Sequence, residues 1–167
     1  FTYQTNNWGV GLPSQGDNGD RWEEMTPLLS DEDRQVTPED IENARLNFLE
    51  FLQIRRSSPL FRLQTADQVQ EMLSFQNTGV EQLPGLIVMR LTDTQNIDPN
   101  YALVVALFNA SPDEITFTQA DLVGMGLTLH PVQVSSHDPI VQGAAFDPET
   151  GTFTIPGRTT AVFVLGD

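Results

Sequence analysis

Apolar positions along this chain change their period once, near residue 69. Before that point the clearest periodic stretch begins at Thr37-Pro38-Glu39-Asp40. Thr37 suits an N-cap, Pro38 the first helical position, and the acidic residues that follow favour the positive end of the helix macrodipole. This predicts a helix from Pro38 to about Arg56. Ile41, Ala44, Phe48, Phe51 and Leu52 form one stripe at about 100° per residue, while Leu46, Leu49 and Ile54 fall outside it. The predicted helix therefore needs apolar neighbours on more than one side. A shorter helical spacing, Trp22, Met25, Leu28 and Leu29, precedes it, and Pro27 restricts its length.

After residue 69 short runs rich in branched side chains take over: Val69–Phe75, Gly85–Leu91, Leu103–Asn109, Glu114–Thr118, Leu127–Val134, Thr152–Ile155 and Thr160–Leu165. Turn sequences such as Asn77-Thr78-Gly79, Ser111-Pro112-Asp113 and Thr150-Gly151 separate them. Thr152-Phe153-Thr154-Ile155 alternates polar and apolar, as a half-buried strand does. Short strands without helix-length crossovers between most of them predict an antiparallel β-sandwich. Residues 1–19, with Gly9, Gly11, Pro13, Gly16 and Gly19, read as an irregular loop.

Composition narrows the possible partners. The chain carries 23 acidic residues against 8 basic ones, for a net charge of −15, and every basic residue is arginine. Such a surface repels nucleic-acid phosphates and anionic lipid, and leaves neutral partners such as sugars open. No apolar run approaches the roughly 20 residues that span a bilayer. With no cysteine, disulfides and thiol chemistry are excluded. The opening Phe1-Thr2-Tyr3-Gln4 has no initiator methionine and no leader pattern, which suggests a start inside a longer protein.

Motifs that could carry chemistry are few. Ser135-Ser136-His137-Asp138 holds the residue types of a catalytic triad, but as neighbours, whereas a triad aligns side chains from separated positions. A polar loop is the reading. Asp17-Asn18-Gly19-Asp20 with Glu23 and Glu24 departs from a calcium-loop pattern at Gly19 and Arg21. His130 and His137 lack the spacing of a metal pair, so His130 reads as a structural histidine. Asn109-Ala110-Ser111 has the form of a glycosylation sequon inside a predicted strand. No cofactor and no metal site are expected. Retaining glycoside hydrolysis needs two carboxylates about 5–5.5 Å apart, and no such pair can be nominated here.

Several separated motifs nevertheless point one way. Phe1-Thr2-Tyr3-Gln4-Thr5-Asn6-Asn7-Trp8-Gly9-Val10-Gly11-Leu12-Pro13, Arg56-Ser57-Ser58-Pro59-Leu60-Phe61-Arg62-Leu63, Pro84-Gly85-Leu86-Ile87-Val88-Met89, Leu129-His130-Pro131-Val132-Gln133 and Pro156-Gly157-Arg158-Thr159-Thr160-Ala161-Val162-Phe163-Val164 resemble, in order, the C-terminal part of pullulanase-type α-1,6-glucosidases and limit dextrinases. The resemblance implies a mainly β chain: an antiparallel β-sandwich preceded by the last helical segment of a (β/α)8 barrel. Residues 1–62 would close the barrel and residues 63–167 would form the sandwich. It also implies a starch-debranching hydrolase whose Asp nucleophile, Glu acid/base and second Asp all precede Phe1, leaving no catalytic residue in this chain. Asn6, Asn7 and Trp8 then become candidates to line the α-glucan cleft, Trp8 by its flat apolar face and the asparagines by hydrogen bonds to hydroxyls. The partners implied are the α-glucan and the catalytic barrel. Without the barrel, the two-sided helix predicts self-association.

Overall fold

The computed structural model describes residues 14–166. The chain divides into two compact units, Phe1–Phe48 and Leu49–Asp167.

In the first unit α1 (Gln15–Asn18) and a 3-10 turn lead into α2 (Trp22–Leu29), which contains Pro27. The Thr26 hydroxyl donates to the Trp22 carbonyl at 2.6 Å, just ahead of the proline that supplies no N–H. The long helix α3 (Pro38–Ser57) starts where its cap signal places it. Thr37 Oγ1 accepts from the Asp40 amide at 3.2 Å and the Asp40 carboxylate accepts from the Thr37 amide at 2.8 Å, a reciprocal capping box with aspartate in the return position. The Thr37 amide, then its hydroxyl, hold the Asp40 carboxyl below its ordinary range.

The second unit begins within α3. A five-stranded antiparallel sheet has the order β1 (Leu73–Phe75), β2 (Leu86–Thr92), β3 (Tyr101–Asn109), β8 (Thr160–Gly166), β5 (Thr128–Leu129); a three-stranded sheet has the order β4 (Ile115–Thr118), β7 (Thr152–Ile155), β6 (Ala145–Asp147). The two share one core, in which Leu103, Val105, Leu107, Ala161 and Phe163 of the larger sheet meet Phe153 and Ile155 of the smaller. This is the expected antiparallel sandwich.

Successive side chains of a strand point to opposite faces, so the larger sheet has a second apolar face. Val104, Ala106, Val162 and Val164 line it, and Ile54 of α3, Leu60 and Met72 cover it. Burial on both faces explains why β3 reads as an unbroken apolar run.

Two expectations about local structure are corrected. Val69–Phe75 is not one strand: α4 (Ala66–Met72) occupies most of it and only Leu73–Phe75 is extended. Thr65 Oγ1 accepts from the Gln68 amide at 3.1 Å, and this cap, with the good helix formers that follow, outweighs the β-branched Val69. Leu127–Val134 yields just two residues of strand before α5 (Pro131–Val134), because His130 caps and Pro131 opens a helical turn. On α3 the buried side chain is Ile54, at 3% exposure, whereas Phe48, Phe51 and Leu52 of the predicted stripe are 63%, 41% and 45% exposed.

Candidate functional site

Glu50, Ile54 and Ser57 are spaced four and three apart on α3, which puts them on one helix face. That face is fastened to the 130–138 segment. Glu50 Oε2 accepts from the Ser136 hydroxyl at 2.8 Å, and its Oε1 accepts from the His137 amide at 3.2 Å and lies 2.9 Å from His137 Nδ1. Burial alone would raise the Glu50 carboxyl, but the bonds from the His137 ring, Ser136 and the His137 amide prevail and hold it below its ordinary range.

At the helix end Ser57 Oγ lies 2.9 Å from His130 Nε2 and donates its own hydrogen to the Ile54 carbonyl at 2.7 Å. His130 Nδ1 accepts from the Val132 amide at 3.2 Å. The ring is 1% exposed, and burial pushes it below the ordinary histidine value. The next residue, Ser58, donates to the buried Asp98 carboxylate and accepts from the Leu60 amide at 3.0 Å, which caps the 3-10 turn Pro59–Arg62. Asp98 in turn donates its amide to Asp93 Oδ2 at 2.7 Å. Burial would raise Asp93, but amides from Asp98, Ile97, Gln95 and Asn96 outweigh it and keep that carboxyl below its ordinary range.

Beside this seam an apolar groove of about 260 Å³ runs between the end of α3 and the second face of the larger sheet, with Phe51, Phe61, Met89 and Phe108 in its wall. Arg55 stands at its edge. Arg55, Arg56 and Arg62 make no ion pair among the described residues, and in the last turn of α3 the first two complement the negative end of the macrodipole. Ile87, 55% exposed, stands beside Phe108 on β2 and extends the apolar surface.

The structure treats the sequence candidates unevenly. Asn6, Asn7 and Trp8 lie outside the described residues. Ser136 and His137 are brought together on Glu50, not into a triad with Asp138, whose amide donates to Ser136 Oγ at 3.0 Å. Among the acidic residues at 17–24, Asp17 accepts from the Ser14 hydroxyl at 2.5 Å and Glu24 pairs with Arg21 at 2.9 Å. Among the described residues no three His, Asp or Glu side chains come together as a metal-ligand set. Asn109 is 3% exposed and its amide donates to the carbonyls of Asp113, Ile155 and Pro156, so the sequon asparagine is a loop staple inaccessible to a glycosyl donor.

Sequence reasoning missed Glu50, Ser57, Ser58 and Asp98. Their only local trace is that polar Glu50 and Ser57 flank Ile54 at helical spacing, a pattern that becomes informative once the partner loop is known.

In class, the Leu49–Asp167 unit is a two-sheet antiparallel β-sandwich with a helix fastened to its outer face. The chain belongs to the C-terminal family of pullulanase-type alpha-1,6-glucosidases, whose model matches residues 3–165. It is 46% identical over 171 residues to the chloroplastic Pullulanase 1 of Arabidopsis thaliana, a match covering 98% of this chain and 18% of that protein. It is 29% identical to the pullulanase of Klebsiella pneumoniae, over 99% of this chain and 15% of that one. The maltotriose complex of PulA from Klebsiella pneumoniae superposes with a TM-score of 0.87 at 27% identity, covering 98% of this chain and 18% of that chain. The chain thus spans less than a fifth of the length of these relatives.

Proposed function

We propose that this chain is the C-terminal part of a starch-debranching enzyme that hydrolyses α-1,6-glucosidic linkages in pullulan, amylopectin or limit dextrins by a retaining mechanism. Its role is structural: residues 1–62 complete a catalytic (β/α)8 barrel, residues 63–167 form a sandwich that buttresses it, and the catalytic carboxylates belong to preceding sequence. In this reading Asn6, Asn7 and Trp8 sit at the barrel rim and line the glucan cleft.

The observation that carries the reading is the helix α3. Its Glu50–Ser57 face is consumed by the sandwich, while Phe48, Phe51 and Leu52 remain 63%, 41% and 45% exposed. Bulky apolar side chains repeated on the remaining helix surface call for a second body, and the relatives have more than four-fifths of their length outside the part that this chain matches.

The test uses the full-length protein. It is expected to release reducing ends from pullulan, whereas the 167-residue chain alone releases none; turnover by the chain alone, or a full-length protein inert on α-1,6 linkages, would overturn the reading. A double substitution Phe51→Asp/Leu52→Asp is expected to lower the thermal stability of the full-length enzyme more than that of the isolated chain. In sedimentation the isolated chain is expected to associate as its concentration rises, and the double variant to stay monomeric. A chain that is monomeric at every concentration contradicts the second-body role of these residues.

A further inference from the structure

The chain has two histidines, and both lie along one face of α3. Ser57 Oγ gives its only hydrogen to the Ile54 carbonyl at 2.7 Å, so at 2.9 Å from His130 Nε2 it must receive the ring's N–H. The other nitrogen, Nδ1, accepts from the Val132 amide. Both ring nitrogens are therefore satisfied by one form only, the neutral Nε2–H tautomer. A second proton would set Nδ1–H against the Val132 N–H and place a charge on a ring that is 1% exposed.

The other end of the seam behaves differently. Glu50 accepts from Ser136 and His137, and the His137 contact becomes an ion pair when that ring is protonated. Mild acid leaves this end closed, and protonation of the Glu50 carboxylate opens it.

We propose that the seam is a two-stage acid latch, in which the Ser57–His130 end releases the last turn of α3 in mild acid while the Glu50 end holds until its carboxylate is protonated. The charged and titratable groups around the seam are Tyr101 on β3, its ring 5.8 Å from His130, Asp98 in the loop before it, Glu50 and the exposed Arg55 and Arg56 on α3, and His137 and Asp138 after α5. Burial, then the charge of Asp98, raise the Tyr101 phenol, so it stays neutral throughout. Burial of the ring lowers the His130 value from 6.5. The opened state thus takes up a proton that the closed state refuses. The contribution of this end is complete above the ordinary histidine value and is lost as pH falls through the lower folded value. For Glu50, lowered from 4.5, the contribution is complete above that value and is lost as pH falls through the folded one. The two windows are therefore ordered.

Amide hydrogen exchange on the chain, corrected for intrinsic rates, tests the order. Opening at the Val132 amide is expected to increase by up to about tenfold for each pH unit below the ordinary histidine value. The His137 amide, bonded to Glu50, is expected to keep its protection until pH falls below the ordinary glutamate value. A His130→Gln variant, whose side chain offers a donor and an acceptor and does not titrate, is expected to abolish the first response and leave the second. The proposal is overturned if His130→Gln accelerates as the parent does, or if the His137 amide opens first. Should the variant not fold, NMR titration of the unmodified chain decides: a His130 ring that protonates in the folded state at or above the ordinary value sinks the latch, and one that resists below it supports it.

Discussion

A Phe153→Ala variant is expected to lose about 3–5 kcal/mol of unfolding free energy. Phe153 is fully buried in β7, the central strand of the smaller sheet, directly opposite Phe117 of β4 and Phe146 of β6. Its ring lies 4.7 Å from that of Phe146 and 5.0 Å, edge-on, from that of Phe163 in the larger sheet. With Ile155 it is thus one of the buried side chains through which the two sheets touch. Removing it loses the transfer free energy of the ring and leaves a cavity walled by both sheets, which a neighbour can fill only by shifting its own strand. Urea denaturation provides the measurement, with an unchanged m value if the variant folds to the same structure. A loss below about 1 kcal/mol would mean that the interface repacks around the gap, contrary to close packing around this ring.

The second large effect is expected at a residue with no side chain. A Cβ built on Gly157 would stand 2.0 Å from the Pro112 carbonyl oxygen and 2.5 Å from its carbon. Gly157 is needed for space rather than for a left-handed backbone. The two loops that meet there cannot readily separate, because Arg158 donates its amide to the Ser111 carbonyl at 2.8 Å and Asn109 donates to carbonyls of both loops. Gly157→Ala must therefore break backbone hydrogen bonds or distort β8, at a cost of about 2–3 kcal/mol. Gly126, where an added Cβ would meet nothing within 4 Å, is the internal control. Gly126→Ala is expected to stay within about 0.5 kcal/mol of the parent. Equal thermal shifts in the two variants would refute the steric account.

Read together, these sites and the α3 seam show how the Leu49–Asp167 unit is held. One core joins the sheets through Phe153, a second lies beneath α3, and the loops at one end are stapled by Asn109 and Gly157. Each relies on contacts between residues far apart in sequence. The seam adds a polar margin to the second core, where Glu50 meets residues 86 and 87 positions further along the chain.

Local information specified much of this. The Thr37-Pro38 start of α3, the alternation of Thr152–Ile155 and the apolar runs of β2, β3 and β8 are set by capping geometry, backbone period and side-chain branching, all of which act within a few residues. The separated motifs were sufficient to indicate the family, because their order along the chain survives changes between them. Local information failed where two local preferences compete. At residues 65–72 the cap and helix formers overrode a branched residue, and at 130–134 the His130-Pro131 turn cut a strand short.

What only the tertiary structure decided is which side of α3 is buried. A helical wheel shows apolar residues on more than one side of α3 without ranking them; the fold buries Ile54 between two polar anchors and leaves Phe48, Phe51 and Leu52 exposed. The reason is that burial is a property of a pair of surfaces. The sequence of a helix declares which faces are apolar, but the loop that carries His130, Ser136 and His137 determines which face is taken, and that loop is itself held by β8, through the His130 amide on the Val162 carbonyl and Gln133 on the Thr160 carbonyl.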